Sequence, residues 1–258
     1  MSHVSLLPMM KVGQAAPMAS YTQRYIGGDH EGVWADLRCL GPIPDALIED
    51  CVVVAAQTMQ LVTGHVARLA EQLTDLGLVP SGTLLTPPTD ADREELSVLA
   101  GEIVAMPIAL DACLRYVGGV WFAGDCPALD ECYHSADQYS IAGVLPDALV
   151  PPDVEYLRYS WTEYREQLED DPELAEEGFV FDFATDELHK ASISGSTHDV
   201  SLARTVADPV IHGVGGRPDI TLVDYLRLSI SWGGMPGWSF KADNAPAALA
   251  RLRVHPDF

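Results

Sequence analysis

The most restrictive pattern in this chain lies within residues 44–77. There Ile48, Val52, Ala55, Met59, Val62, Val66, Leu69, Leu73 and Leu76 recur in alternating steps of four and three. Such spacing puts all of them along one side of an α-helix as a heptad seam. The borders agree: Asp45 follows Pro44, Arg68 lies toward the far end, and Gly77 offers a left-handed C-cap. Gly64 is the weak point, at about 1 kcal/mol relative to alanine. A helix so long and so one-sided needs a cover for its seam, and two readings are open. It packs antiparallel on its own domain, or Ile48, Val52, Met59, Val62, Val66, Leu69 and Leu73 pair with a second copy to make a homodimer or docking helix.

Beyond the connection VPSGTLLTPP, a second helix is expected from Thr89 or Asp90, with Asp92, Glu94 and Glu95 near its positive end and Leu96, Leu99 and Ile103 inward. Pro107 suits the first turn of a third helix over 108–117, ended by Gly118 and Gly119 before the strand-like VWFAG. Short strands are then expected at 157–161, 178–183, 191–194, 199–202 and 210–212, with ASISGSTHDVSLA as a hairpin around Gly195. A helix over 221–231 turns Leu222, Tyr225, Leu226 and Ser229 or Ile230 inward and stops at Gly233 and Gly234, and a last short helix covers 246–253. The sum is an α+β fold: a mostly antiparallel central sheet flanked by helices, with a long N-terminal helix. Residues 1–20 read as a loose leader, 21–86 as the segment with the heptad helix, and 87–258 as the α+β domain with a C-terminal extension. No run approaches the roughly 18 apolar residues of a membrane span.

Charge narrows the partners. With 15 Lys plus Arg against 38 Asp plus Glu, the net charge is −23, which repels nucleic acid and anionic membrane and leaves a protein as the expected partner. The excess is uneven. Residues 153–187 hold 13 acidic and 2 basic side chains, interleaved with Tyr156, Tyr159, Trp161, Tyr164, Phe179, Phe181 and Phe183. A binding surface built from Trp161, Tyr164, Glu166, Glu169, Asp170, Asp171 and Glu173 is one reading, carboxylates steering a cationic partner and aromatics anchoring it. A solvated acidic helix beside core aromatics is the other.

Catalytic patterns are missing. Ser194, Ser196, His198 and Asp199 supply triad-type groups, but adjacency on a hairpin tip fits turn chemistry better than a rigid catalytic constellation. The serine of GWSF lacks the second glycine of a nucleophile elbow, and GVGGRP lacks the Lys-Ser/Thr of a phosphate loop. His189, His198 and His212, with Asp199, could meet across strands as metal ligands, yet show no HxH or HExxH spacing; Cys126, Cys132 and His134 do not have a zinc spacing either. Five cysteines without a CxxC pair imply no disulfide framework and fit a reducing cytoplasm. The reading is of a non-enzyme with no cofactor and no metal. A hydrolase or metal-dependent enzyme built on the three histidines is the rival.

Three features together resemble the SUKH superfamily, whose bacterial members are largely immunity proteins against toxins and whose fungal relatives regulate cell-wall synthesis. They are the proline-led helix and double glycine of MPIALDACLRYVGGVWFAG, the central series of short strands, and ITLVDYLRLSISWGG, similar to the closing helix. The resemblance spans about 89–238; the heptad helix and WGGMPGW lie outside the family pattern, and no functional residue carries over. It implies a bacterial, cytoplasmic, non-catalytic immunity-type protein that neutralises a basic partner such as a nuclease toxin.

Overall fold

The computed structural model describes residues 19–103, 105–133, 145–203 and 205–258. The expected leader thus lies, up to residue 18, outside the described residues, as does His134. The first elements are α1 (Tyr21–Ile26) and α2 (His30–Cys39), which lead into α3 (Asp45–Asp75). Ser20 and Gln23 start α1 with a reciprocal capping box. The N–H groups of Tyr21 and Thr22 then donate to the Asp50 carboxylate on α3, at 2.7 and 3.0 Å. A buried polar link fixes α2 as well: Trp34 Nε1 donates to Thr58 Oγ1 at 3.0 Å, and the same hydroxyl bonds that of Tyr25 at 2.8 Å.

α3 is the axis on which the other helices pack. Ala55, Met59, Val62, Val66, Leu69 and Leu73 are buried, and so are the flanking Cys51, Val54, Thr58, His65 and Ala70. That face is wider than a two-position seam and is the apolar stripe of a core helix. Met59, Val62, Val66, Leu69 and Leu73 are therefore spent on the protein's own interior; of the residues named for a homodimer, only Ile48 (39% exposed) and Val52 (46%) remain on the surface. By length and composition α3 is also long and apolar enough to cross a bilayer, which the expectation of no such span did not anticipate.

Short ladders follow. β1 (Val79–Pro80) and β2 (Leu85–Thr86) precede α4 (Asp90–Glu102), which Thr89 and Asp92 open with a capping box. Leu96, Leu99 and Ile103 are buried as expected. α5 (Ile108–Ala112) continues as a π turn over Cys113–Val117 and ends at Gly118, whose φ of +71° and contact with the Thr86 carbonyl exclude a side chain. β3 (Gly119–Val120) pairs antiparallel with β2, and β4 (Gly124–Asp125) with β1. Next come α6 (Val154–Asp170), α7 (Leu174–Glu177), β5 (Val180–Thr185), β6 (Thr197–Ser201) and α8 (Leu222–Ser231). α8 buries Leu222, Tyr225, Leu226, Ser229 and Ile230. Two 3-10 segments, Pro236–Asn244 and Ala247–Arg251, close the core with Trp238 and Leu249.

The protein is α+β in the broad sense, helices with small antiparallel ladders, but the central sheet is a correction: every ladder among the described residues has two strands. Residues 157–161 lie inside α6, not in a strand. Residues 191–194 follow the 3-10 turn His189–Ala191, and 210–212 contributes only the single bridges Val210 to Thr221 and His212 to Asp199. The β5–β6 pair is real, with a register shift between Asp182 and Ala184, yet its connection is the whole of 186–196 and not a tight turn at Gly195. Strands this short cannot cover a face, so α3 and α8 take the place a sheet would hold.

Candidate functional site

α6 carries two opposed stripes. Asp153 caps it, accepting the Tyr156 N–H at 3.0 Å. Val154 and Leu157 are buried, and Trp161, Tyr164 and Leu168 continue the same face half-buried. Trp161 and Tyr164 stack at 5.6 Å between centroids, and each lies 5.2 Å from Phe179. Trp161 Nε1 donates to Glu102 at the end of α4 at 2.9 Å. These two rings therefore hold the helix down and are not exposed anchors; the exposed aromatics are Tyr156 and Tyr159.

The outward stripe runs Tyr156, Tyr159, Glu163, Glu166 and Asp170, all exposed. Its spacing repeats the helical period. Glu169, Asp171 and Glu173 are exposed beside it. The two cations of this helix face the other way: Arg158 meets Glu95 at 2.9 Å and Arg165 meets Glu102 at 3.5 Å, both on α4. Among the described residues none of Glu166, Glu169, Asp170, Asp171 and Glu173 has a basic partner. A cleft of about 530 Å³ opens beside the upper end of the stripe, walled by Trp121, Pro151, Tyr156, Phe183 and Thr197.

A second constellation lies in the interior, and of its members the sequence reading weighed only His198 as a ligand. The Asp186 carboxylate accepts N–H bonds from Leu188, His189 and Ser196, and Gly195 is pressed so close to it that a Cβ would collide. Burial alone would raise its pKa; the backbone donors outweigh that and hold it below the usual range. The folded loop turns Lys190 inward, to 3% exposure. Its ammonium donates to Asp147 Oδ1 at 2.6 Å and lies 3.5 Å from the Tyr225 hydroxyl. Burial pushes Tyr225 up to about 12. His198, fully buried on β6, places Nε2 3.6 Å from the same Asp147 oxygen, and neither ring nitrogen has a hydrogen-bond partner among the described residues. Glu187 completes the group: one ligand atom each from Asp147, Glu187 and His198 lie within 4.8 Å of one another. A cleft of about 270 Å³ reaches Asp147 and Glu187 past Gly215 and Phe240.

The three histidines do not converge. His189 is partly exposed with Nδ1 at 2.9 Å from the Ser196 carbonyl, and His212 is exposed; only His198 belongs to the cluster. Asp147, Glu187 and Lys190 were not singled out, and Tyr225 only as a core residue of its helix, yet one signal was there: the chain has only three lysines, Lys11, Lys190 and Lys241. In a protein that draws most of its cations from arginine, a lysine standing alone at 190 marks that position. Comparison with protein-family models, curated proteins and solved structures finds no match to this chain.

Proposed function

We propose that the protein is a non-catalytic binding module that neutralises a basic protein partner, such as a nuclease toxin, in the bacterial cytoplasm, in the manner of the SUKH immunity proteins it resembles. The observation that supports this is the division of charge on α6. Arg158 and Arg165 are drawn to α4, so the exposed carboxylates of Glu166, Glu169 and Asp170 on α6, and of Asp171 and Glu173 just beyond its end, have no basic partner among the described residues. Such a field speeds encounter with a cationic groove and makes the association salt-sensitive. Tyr156 and Tyr159 take the anchoring role first assigned to Trp161 and Tyr164, and the cleft beside Tyr156 offers a place for a side chain of the partner.

The test is calorimetric titration with the basic product of an adjacent toxin reading frame at low and high salt, for the wild type and for a Glu166→Lys, Asp170→Lys, Glu173→Lys variant. Affinity should fall with salt in the wild type and be lost in the variant while its circular dichroism is unchanged. Equal affinity and equal salt dependence in the two proteins would refute the proposal. The hydrolase reading built on His189, His198 and His212 has no convergent set behind it.

A further inference from the structure

We infer that Asp147, Glu187 and His198 form a binding site for one divalent transition-metal ion of the zinc class. The three ligand atoms come from separate segments and lie within 4.8 Å of one another without being neighbours in sequence. His198 is the strongest pointer. An imidazole at 0% exposure with no hydrogen bond to either nitrogen among the described residues is a rare state, since a buried polar atom left without a bond costs about 1–3 kcal/mol. Its Nε2 faces a carboxylate oxygen, an acceptor facing a ring nitrogen, and a metal ion satisfies both at once. One imidazole with two carboxylates is a donor set suited to zinc and its neighbours; calcium and magnesium prefer oxygen alone. Asp147 is held with φ +55°, a left-handed backbone that fixes the direction of its side chain, and the cleft past Gly215 provides an entry path.

Lys190 is the rival cation. Its ammonium already occupies one side of Asp147 Oδ1, at 2.6 Å, and the Tyr225 hydroxyl 3.5 Å away is where it can turn when a metal takes that oxygen. The two carboxylates, balanced by a single lysine, keep one negative charge in excess, which a divalent ion reverses. Metal and ammonium thus compete for Asp147. Removing the lysine should favour the metal.

The full-length protein, stripped with EDTA, is titrated with Zn²⁺ by calorimetry and with Co²⁺ by visible absorption. One equivalent of each is expected. Glu187→Gln, an isosteric change at a partly buried position, should weaken Zn²⁺ binding by more than about tenfold, the least that loss of even an outer-shell partner commonly costs. His198→Gln should do the same and shift the Co²⁺ spectrum. A His189→Gln, His212→Gln double variant should bind as the wild type does. Lys190→Met should bind Zn²⁺ more tightly, and its melting temperature should rise on adding the ion. The inference is overturned if the wild type takes up no stoichiometric Zn²⁺ or Co²⁺, if Glu187→Gln binds as tightly as wild type, or if binding is lost in the His189, His212 variant instead. None of these outcomes bears on the acidic face of α6.

Discussion

Thr58→Val tests how the first two helices are held to the core. The substitution keeps the shape of the side chain and removes a hydroxyl that Trp34 Nε1 reaches at 3.0 Å and the Tyr25 hydroxyl at 2.8 Å, leaving those two groups only each other. Both aromatic residues are buried, at 0% and 2% exposure, so neither polar group can turn to water. Each orphaned group costs about 1–3 kcal/mol, and the new methyl regains about 1 kcal/mol of apolar burial. The net loss is about 1–5 kcal/mol by these figures. For a chain of this size that lowers the melting temperature by roughly 2–20 °C. Urea titration followed by far-ultraviolet circular dichroism and tryptophan fluorescence measures it. Adding Trp34→Phe and Tyr25→Phe removes the stranded groups, so the triple variant should lose less than the sum of the three single losses. A Thr58→Val loss below about 1 kcal/mol, or strict additivity, would refute the network.

Two further outcomes follow from the same structure. Burial pushes the Glu131 carboxyl well above the usual range, so the folded protein keeps a proton that the unfolded chain releases near pH 4.3. Because the folded state then binds more protons, stability falls as pH rises from that value toward the folded pKa. Glu131→Gln should abolish that decline in urea titrations between pH 5 and 8; an unchanged slope would contradict the account. Trp161→Ala should cost about 2–4 kcal/mol by emptying the stack on Tyr164 and Phe179, whereas Tyr159→Ala should stay within about 0.5 kcal/mol. Denaturation midpoints in the reverse order would mean that the inward and outward stripes of α6 are misassigned.

The elements legible in the sequence are those whose signals are local. The seam of α3, the Thr89 cap of α4, the double glycine after the π turn and the inner face of α8 each lie within a few turns of their own helix. α6 was misread because LRYSW, taken alone, has the aromatic content of a strand; the helical period emerges only when Val154, Leu157, Trp161, Tyr164 and Leu168 are taken together. Strand pairing depends on partners that local patterns do not name, and for that reason the expected sheet is, among the described residues, three two-stranded ladders. The outward acids were legible because charge can be counted. The direction of Arg158 and Arg165 was not, because it depends on where α4 lies. Lys190, Asp147, His198 and Tyr225 come from separate segments, and single buried polar residues have no period to detect.

The stack beneath α6 has a consequence for the entropy of association. Acidic residues on a disordered tail must be ordered when they meet a cation, at about 1–2 kcal/mol for each residue fixed. Here Trp161 and Tyr164 have set the rotation of the helix about its axis during folding. Successive carboxylates of the row are carried on a frame that rises about 5.4 Å per turn. If α6 meets a cationic partner as proposed, the backbone beneath its charges is already ordered as helix before contact.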